Sequence, residues 1–66
     1  MEDSLLKLPE VVKRTGLRKS TIYARMKTGT FPASVSLGPR SVAWAATAIQ
    51  KWIEVTIAAT QQSNEA

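Results

Sequence analysis

The stretch that decides the fold is residues 5–52, which read LLKLPEVVKRTGLRKSTIYARMKTGTFPASVSLGPRSVAWAATAIQKW. Its first apolar residues recur at helical spacing: Leu8, Val11 and Val12. Pro9 suits the first helical turn, because the N–H that proline lacks has no partner there in any helix. Gly16 is the residue type that ends helices in a left-handed conformation. The pattern therefore predicts a first helix from Pro9 to Thr15.

A second short helix is predicted after a tight turn, over residues 19–28. Ile22 and Met26 are four residues apart and are expected to face inward together. Ser20 is a candidate N-cap of this helix, and Gly29 is a candidate C-cap. Two short helices around a tight turn are typical of a helix-turn-helix unit.

A small hairpin and a third helix are predicted downstream. Residues 34–37 and 41–44 alternate polar with apolar side chains, and the Gly-Pro-Arg segment between them is rich in turn formers. Thr47 and Gln50 match a capping box, so the third helix is expected to begin at Thr47. The predicted fold is α+β and mostly helical, a small winged helix-turn-helix with three helices and a two-stranded β-hairpin wing. The domain is predicted to span residues 5–60, with residues 1–4 and 61–66 as flexible termini.

Charge is distributed unevenly along the chain, whose formal net charge is +4. From residue 11 to residue 53 there are eight Lys or Arg residues and no Asp or Glu. Such clustering indicates an anionic partner such as duplex DNA, although a solvated basic surface is the alternative. Histidine and cysteine are absent from the sequence, and no carboxylate pair lies in its centre. We therefore expect no enzyme activity, no metal, no cofactor and no small-molecule ligand, and the lack of a long apolar run predicts a protein of the cytoplasm rather than the membrane.

The second helix and the hairpin tip supply the candidate DNA-binding residues. In a helix-turn-helix, the N-terminal part of the second helix reaches base edges in the major groove. A tight turn can also bring an arginine to the minor groove. The candidates are Arg18, Lys19, Ser20, Thr21, Tyr23, Arg25, Lys27 and Arg40. Three alternatives stay open: helix capping by Ser20 or Thr21, core packing by Tyr23, and a cation–π contact of Arg40 with Trp44.

The third helix carries a wider apolar arc than a surface helix needs. The face that is expected to close the core consists of Ile49, Trp52, Ile53 and Ile57. A second stripe on this helix is a candidate self-association seam, and a harmless exposed valine among alanines is the alternative. The residues of that seam are Ala48, Val55 and Ala59.

The order of these motifs resembles the AlpA family of phage and prophage regulators, which are small winged helix-turn-helix proteins related to MerR-type and excisionase domains. The resemblance rests on residues 8–11, 15–17, 20–23, 29–32, 37–38, 40–44 and the Ile49 to Trp52 spacing, within residues 5–57. It implies that the second helix reads the major groove and that the hairpin is the wing. By position it puts Ser20, Thr21 and Tyr23 on the reading helix and Arg40 on the wing. The chain departs from the family at Arg18, where Ser or Thr is usual, so the cap is expected to shift to Ser20.

Together these observations predict a sequence-selective duplex DNA-binding regulator of prophage or mobile-element genes, possessing no membrane segment and able to form a homo-oligomer on DNA. The first alternative is an excisionase-type architectural factor that bends DNA. The second is a small adaptor that binds protein through the third helix.

Overall fold

The computed structural model describes residues 3–63, with side chains described from residue 3 to residue 60. The expected flexible residues 1–2 and 64–66 lie outside this range. The elements in chain order are β1 (Leu5–Leu6), α1 (Leu8–Thr15), α2 (Lys19–Lys27), β2 (Val35–Gly38), β3 (Ser41–Ala45) and α3 (Ala46–Ser63). Three helices with an antiparallel hairpin confirm the predicted α+β class, consistent with a small winged helix-turn-helix.

Both helices of the helix-turn-helix end as the sequence predicts. Gly16 adopts a left-handed φ of 75°, and its N–H donates to the carbonyl of Val12 at 2.8 Å. Gly29 has a φ of 77° and closes α2 in a Schellman motif. In that motif the Gly29 N–H donates to the carbonyl of Met26, and the next N–H donates to the carbonyl of Arg25. These turns fix the directions in which the chain enters and leaves α2.

The N-cap of α2 differs from the prediction, although the helix starts at residue 19 as expected. The helix begins at Lys19, and Arg18 occupies the N-cap position with extended backbone and no side-chain cap. Ser20 and Thr21 therefore lie inside the first turn. Only a side chain at the N-cap position, before the turn, would be placed to accept its leading N–H groups. Within residues 3–60 their hydroxyls make no hydrogen bond. The predicted capping by Ser20 or Thr21 is wrong.

A third strand extends the predicted hairpin into a sheet of order β1-β3-β2. Strand β1 pairs antiparallel with β3, with Leu5 opposite Ala45 and Leu6 opposite Trp44. Strand β2 pairs with the other edge of β3, with Val35 opposite Ala43. Strand β1 has only two residues, which is too few to show the alternation of polar and apolar side chains that indicates a strand. It could therefore not be recognised from the sequence.

The N-terminus of α3 is capped from a distant part of the chain. One carboxylate oxygen of Asp3 accepts the Thr47 N–H at 3.1 Å, and the other accepts the Thr47 hydroxyl at 2.7 Å. The Ser4 carbonyl accepts the N–H of Ala46, where α3 begins. Gln50 instead donates to Glu54, so the predicted capping box is wrong. Asp3 and Ser4 thus form hydrogen bonds, while the proposed domain limits of 5–60 stay a prediction.

The core lies between the inner face of the sheet and the three helices. Its buried members are Leu6, Val11, Ile22, Phe31, Trp44 and Ile49. Trp44 is fully buried, and its indole N–H donates to the Pro32 carbonyl at 3.0 Å. Phe31 packs edge-to-face on Trp44 with ring centroids 6.5 Å apart. Burial of each such side chain contributes about 1.5–3 kcal/mol, which makes this small cluster the main source of stability.

Helix α3 continues well past the core. Its 18 residues span about 27 Å at 1.5 Å per residue, and every residue from 54 to 60 is exposed. Ile57 is 51% exposed, so its predicted place on the core face is wrong, because the helix has passed the end of the core at that point. The radius of gyration is 12.9 Å. A compact chain of this length would have a radius near ~11 Å, so the end of α3 projects from the domain. Over residues 3–63, no helix combines the length and apolar character needed to cross a bilayer.

Candidate nucleic-acid interface

Helix α2 turns one side to the core and the rest to solvent. Ile22 is fully buried and Met26 is half-buried, which fixes the inner side. At about 100° per residue, Ser20, Ala24 and Lys27 lie on the opposite side, and all three are exposed. These three residues form the outer face of α2. Its central residue, Ala24, was not among the predicted candidates, because a small apolar side chain in a helix carries no functional signal.

The remaining candidates on α2 flank its outer face. Lys19 and Tyr23 lie on one flank, and Arg25 lies on the other. All three are exposed, whereas Thr21 is half-buried. The exposure of Tyr23, 39%, leaves its ring partly packed and its hydroxyl accessible. The structure therefore brings all the predicted α2 residues onto one accessible helix, with Thr21 at the edge of the accessible part.

The N-terminus of α2 is electrostatically open to an anion. Its first turn contains no acidic residue, and no side chain caps its leading N–H groups. Arg18 and Lys19 stand at this end and are exposed. Free N–H groups and the positive end of the helix dipole favour phosphate, and two cations beside them strengthen that preference.

The tip of the wing contains a strained arginine. Gly38 pairs with Ser41, so Pro39 and Arg40 form a two-residue turn between β2 and β3. Arg40 has a φ of 63° and is the only non-glycine residue of the described chain with a positive φ. Proline fixes φ near about −65°, so the turn is of type II, whose third position normally holds glycine. A side chain in this conformation costs on the order of 1 kcal/mol.

Arg40 does not stack on Trp44, which was the structural alternative. The arginine is exposed, while Trp44 lies on the inner face of the sheet and has no exposed surface. Among the described residues no cation–π contact is formed. The cation–π alternative is therefore wrong, and the guanidinium is accessible at the end of the hairpin.

The wing also exposes apolar side chains. A β-bulge between Ser36 and Gly38 leaves Leu37 without a partner on β3. Leu37 and Val35 are each 45% exposed. Because Val35 is opposite Ala43, it lies on the face of the sheet that turns away from Trp44. The alternating pattern of β2 thus marks a strand whose apolar residues face solvent.

Lys7 is a cation that the sequence did not mark as functional. Its Nζ donates to the Ser41 hydroxyl at 3.2 Å, directly after Arg40 in the chain. Pairing of β1 with β3 produces this contact across 34 residues. No local pattern connects the two positions, which explains why the sequence did not indicate Lys7 beside Ser41.

Most of the cations lack a carboxylate partner. The described part of the chain contains one ion pair, in which Arg14 Nε lies 2.8 Å from Glu10 Oε2 in the adjacent turn of α1. The hydrogen bond from Arg14 lowers the pKa of the Glu10 carboxyl below its ordinary value. The exposed cations on α2 and the wing are therefore not neutralised by the protein, unlike Arg14.

Comparison with known proteins identifies the family. The family model described as "Prophage CP4-57 regulatory protein (AlpA)" matches residues 4–57. The chain belongs to the AlpA family. An uncharacterized protein, ORF88 of Enterobacteria phage P4, is 37% identical over 65 residues, which cover 98% of this chain and 74% of the relative. The DNA-binding transcriptional activator AlpA of Escherichia coli strain K12 is 34% identical over 55 residues, which cover 74% of this chain and 79% of the relative.

Family membership confirms the resemblance inferred from the motifs. The matched range contains α1, α2, both strands of the wing and the packed part of α3. All the candidate DNA-binding residues fall within it, as do Ala48 and Val55. Ala59 lies beyond the match, on the projecting part of α3.

Proposed function

We propose that the protein binds duplex DNA sequence-selectively and regulates transcription of prophage or mobile-element genes. The observation that carries the proposal is the outer face of α2, which is exposed, flanked by cations and free of acidic residues. The named activity of the Escherichia coli relative, a DNA-binding transcriptional activator, supports the same class of function. Such a regulator acts in the bacterial cytoplasm, at the nucleoid.

In this proposal α2 lies in the major groove. Ser20 and Lys27 on its outer face, and Lys19 at its N-terminal flank, approach base edges, where lysine donates to guanine acceptors. Arg18 and Arg25 meet the phosphates on either side. The small Ala24 side chain between them allows the helix axis to come close to the groove floor. Tyr23 presents its hydroxyl to the backbone.

Arg40 is proposed to contact the minor groove or the phosphates beside it. A narrow minor groove attracts arginine electrostatically, and the wing holds this guanidinium at its tip. The strained backbone supports this role, because glycine would satisfy the turn at lower cost. Residues with a strained backbone are often found where they contact a ligand.

Selection of a binding sequence and a salt titration test the proposal. A random duplex library is selected with the full chain, and the affinity for the best sequence is measured as salt is varied. The logarithm of affinity should fall linearly with the logarithm of salt concentration, by about 0.9 for each phosphate neutralised. No measurable binding to any duplex at low salt would overturn the proposal.

Two lysine variants with the same change in net charge sharpen this test. Lys19→Ala should alter base preference at one or two positions of the selected sequence. Lys51→Ala, on α3, should leave the preference unchanged, because Lys51 is exposed on another helix. Equal effects of the two substitutions would mean that only diffuse charge attracts the DNA.

DNA bending is the second candidate function, and the wing favours it. Leu37 is exposed at a bulge beside the turn that carries Arg40. Apolar side chains next to cations can enter between base steps and kink the duplex. A duplex with fluorophores at its two ends reports the bend by energy transfer. Leu37→Ser should reduce the bend if the wing acts in this way, and equal transfer for both proteins would leave regulation without bending.

A further inference from the structure

A preformed apolar groove lies beside α3, outside the proposed DNA interface. It has a volume of about 430 Å³ and opens to solvent between α3 and the segment that connects α2 to β2. Its lining includes Phe31, Pro32, Ala48, Lys51, Trp52 and Val55. None of the eight predicted DNA-binding residues lines the groove.

The aromatic wall of the groove is fixed without any partner. Trp52 packs edge-to-face on Phe31, with ring centroids 5.0 Å apart and an interplanar angle of 61°. The Trp52 indole N–H donates to the Thr30 carbonyl at 3.1 Å. Thr30 is in turn held by the Schellman motif at the end of α2. A ligand would therefore meet an ordered surface and lose little affinity to ordering of the protein.

Beside this aromatic wall, the α3 residues of the groove leave apolar surface uncovered. Val55 is 58% exposed although it lines the groove. Ala48 lies about two turns earlier on α3 and is too small to fill the space. Trp52, in the aromatic wall, is itself only half-buried. The exposed Val55 and the two aromatic rings together form a surface on which a large apolar side chain of another molecule would become buried.

Charge indicates the chemistry of that molecule. Lys51 is the charged residue on the groove lining, and it makes no ion pair within the described chain. Glu54, the nearest acid on α3, accepts a hydrogen bond from Gln50 and does not line the groove. A second copy would bring the same Lys51 and the same net charge of +4. Complementarity instead favours a partner that carries a carboxylate.

We propose that this groove binds an acidic amphipathic segment of another protein. A large apolar side chain of that segment lies between Trp52, Phe31 and Val55, and a carboxylate of the segment pairs with Lys51. Because the groove lies outside the proposed DNA interface, the protein can hold DNA and this partner together. The proposal goes beyond DNA binding and does not depend on it.

A displayed peptide library tests the proposal directly. Random 12-residue peptides are panned against the full chain, and a recovered peptide is labelled and titrated by fluorescence anisotropy. Recovered peptides should combine Leu, Phe or Trp with Asp or Glu. Val55→Glu should weaken binding at least about tenfold, since it places a carboxylate against the apolar side chain and near the acid of the peptide. Ile57→Glu is the matched control, because Ile57 is 51% exposed and does not line the groove.

A charge exchange identifies the role of Lys51. Lys51→Glu should weaken binding of the acidic peptide about three- to fivefold, as expected for an exposed pair. A peptide with Lys in place of its acid should regain that affinity on the Lys51→Glu protein. The proposal is overturned if no peptides are enriched, if they lack acids, or if Val55→Glu and Ile57→Glu have equal effects. It is also overturned if sedimentation shows a dimer that Val55→Glu dissociates, because the occupant would then be a second copy joined at the predicted seam.

Discussion

Replacement of Arg40 by glycine should change stability and DNA affinity in opposite directions. The left-handed conformation at φ 63° costs an L-residue about 1–2 kcal/mol, and glycine adopts it without that cost. Glycine also gains freedom in the unfolded chain, which removes about 0.5–1 kcal/mol of the benefit. We expect Arg40→Gly to stabilise the domain by about 0.5–1 kcal/mol, which raises Tm by roughly 2–8 °C in a domain of this size.

DNA binding by the same variant should weaken. Loss of one charge-assisted contact costs about 1.5–3 kcal/mol, which is roughly ten- to a hundredfold in affinity. If the guanidinium neutralises a phosphate, the salt dependence should also become shallower by about 0.9. Thermal unfolding followed by circular dichroism and a DNA titration on one preparation measure both effects.

Arg40→Ala separates backbone strain from the contact. Alanine lacks the guanidinium and keeps the cost of positive φ, so DNA affinity should fall as in Arg40→Gly while Tm stays close to that of the wild type. A lower Tm for Arg40→Gly would show that the arginine side chain stabilises the wing, contrary to the reasoning. Unchanged DNA affinity in both variants would remove Arg40 from the interface.

Two further predictions concern the fold. Hydrogen bonds from the Thr47 hydroxyl and N–H lower the pKa of Asp3 below its ordinary 3.8, so its contribution to stability is present above that value and is lost as pH falls through the folded pKa. Tm should therefore fall as the pH drops below the ordinary value and through the folded pKa, and less steeply in Asp3→Asn. Ile22→Ala should cost about 2–5 kcal/mol against a total of ~3–5 kcal/mol and leave much of the chain unfolded by circular dichroism, whereas Ile22→Val should fold. A folded Ile22→Ala protein, or equal acid sensitivity of Asp3→Asn, would contradict these assignments.

The sequence predicted the elements whose signals are local. Gly16 and Gly29 end their helices with the left-handed backbone that glycine favours, and the Pro39-Arg40 turn joins two strands as expected. Prediction failed where the partner is far along the chain. Asp3 caps α3 across 44 residues, and Leu5 pairs with Ala45 over a strand too short to have a pattern. Periodicity contains no information about such pairs.

The candidate site shows the same division. The α2 candidates were predicted because a helix-turn-helix assigns a role to its second helix, and their contact with DNA stays a prediction. Lys7 lies beside the wing only because β1 pairs with β3. The predicted self-association seam stays a prediction, and it coincides only partly with the groove. Ala48 and Val55 line the groove together with Phe31, which comes from the loop after α2, whereas Ala59 does not line it. A helical wheel describes one helix and cannot show what another segment places beside it.

Three departures from local rules lie on the two proposed binding surfaces. Arg40 occupies a glycine position and Leu37 is exposed at a bulge, both at the wing tip, while Val55 is exposed at the groove. The core has no such departure, since its buried side chains are apolar and no buried polar side-chain atom of the described chain lacks a hydrogen bond. A domain with a stability of only about 3–5 kcal/mol tolerates few unfavourable residues. Glycine at position 40 would improve the isolated chain, so retention of Arg40 is what selection for binding produces and selection for folding alone does not.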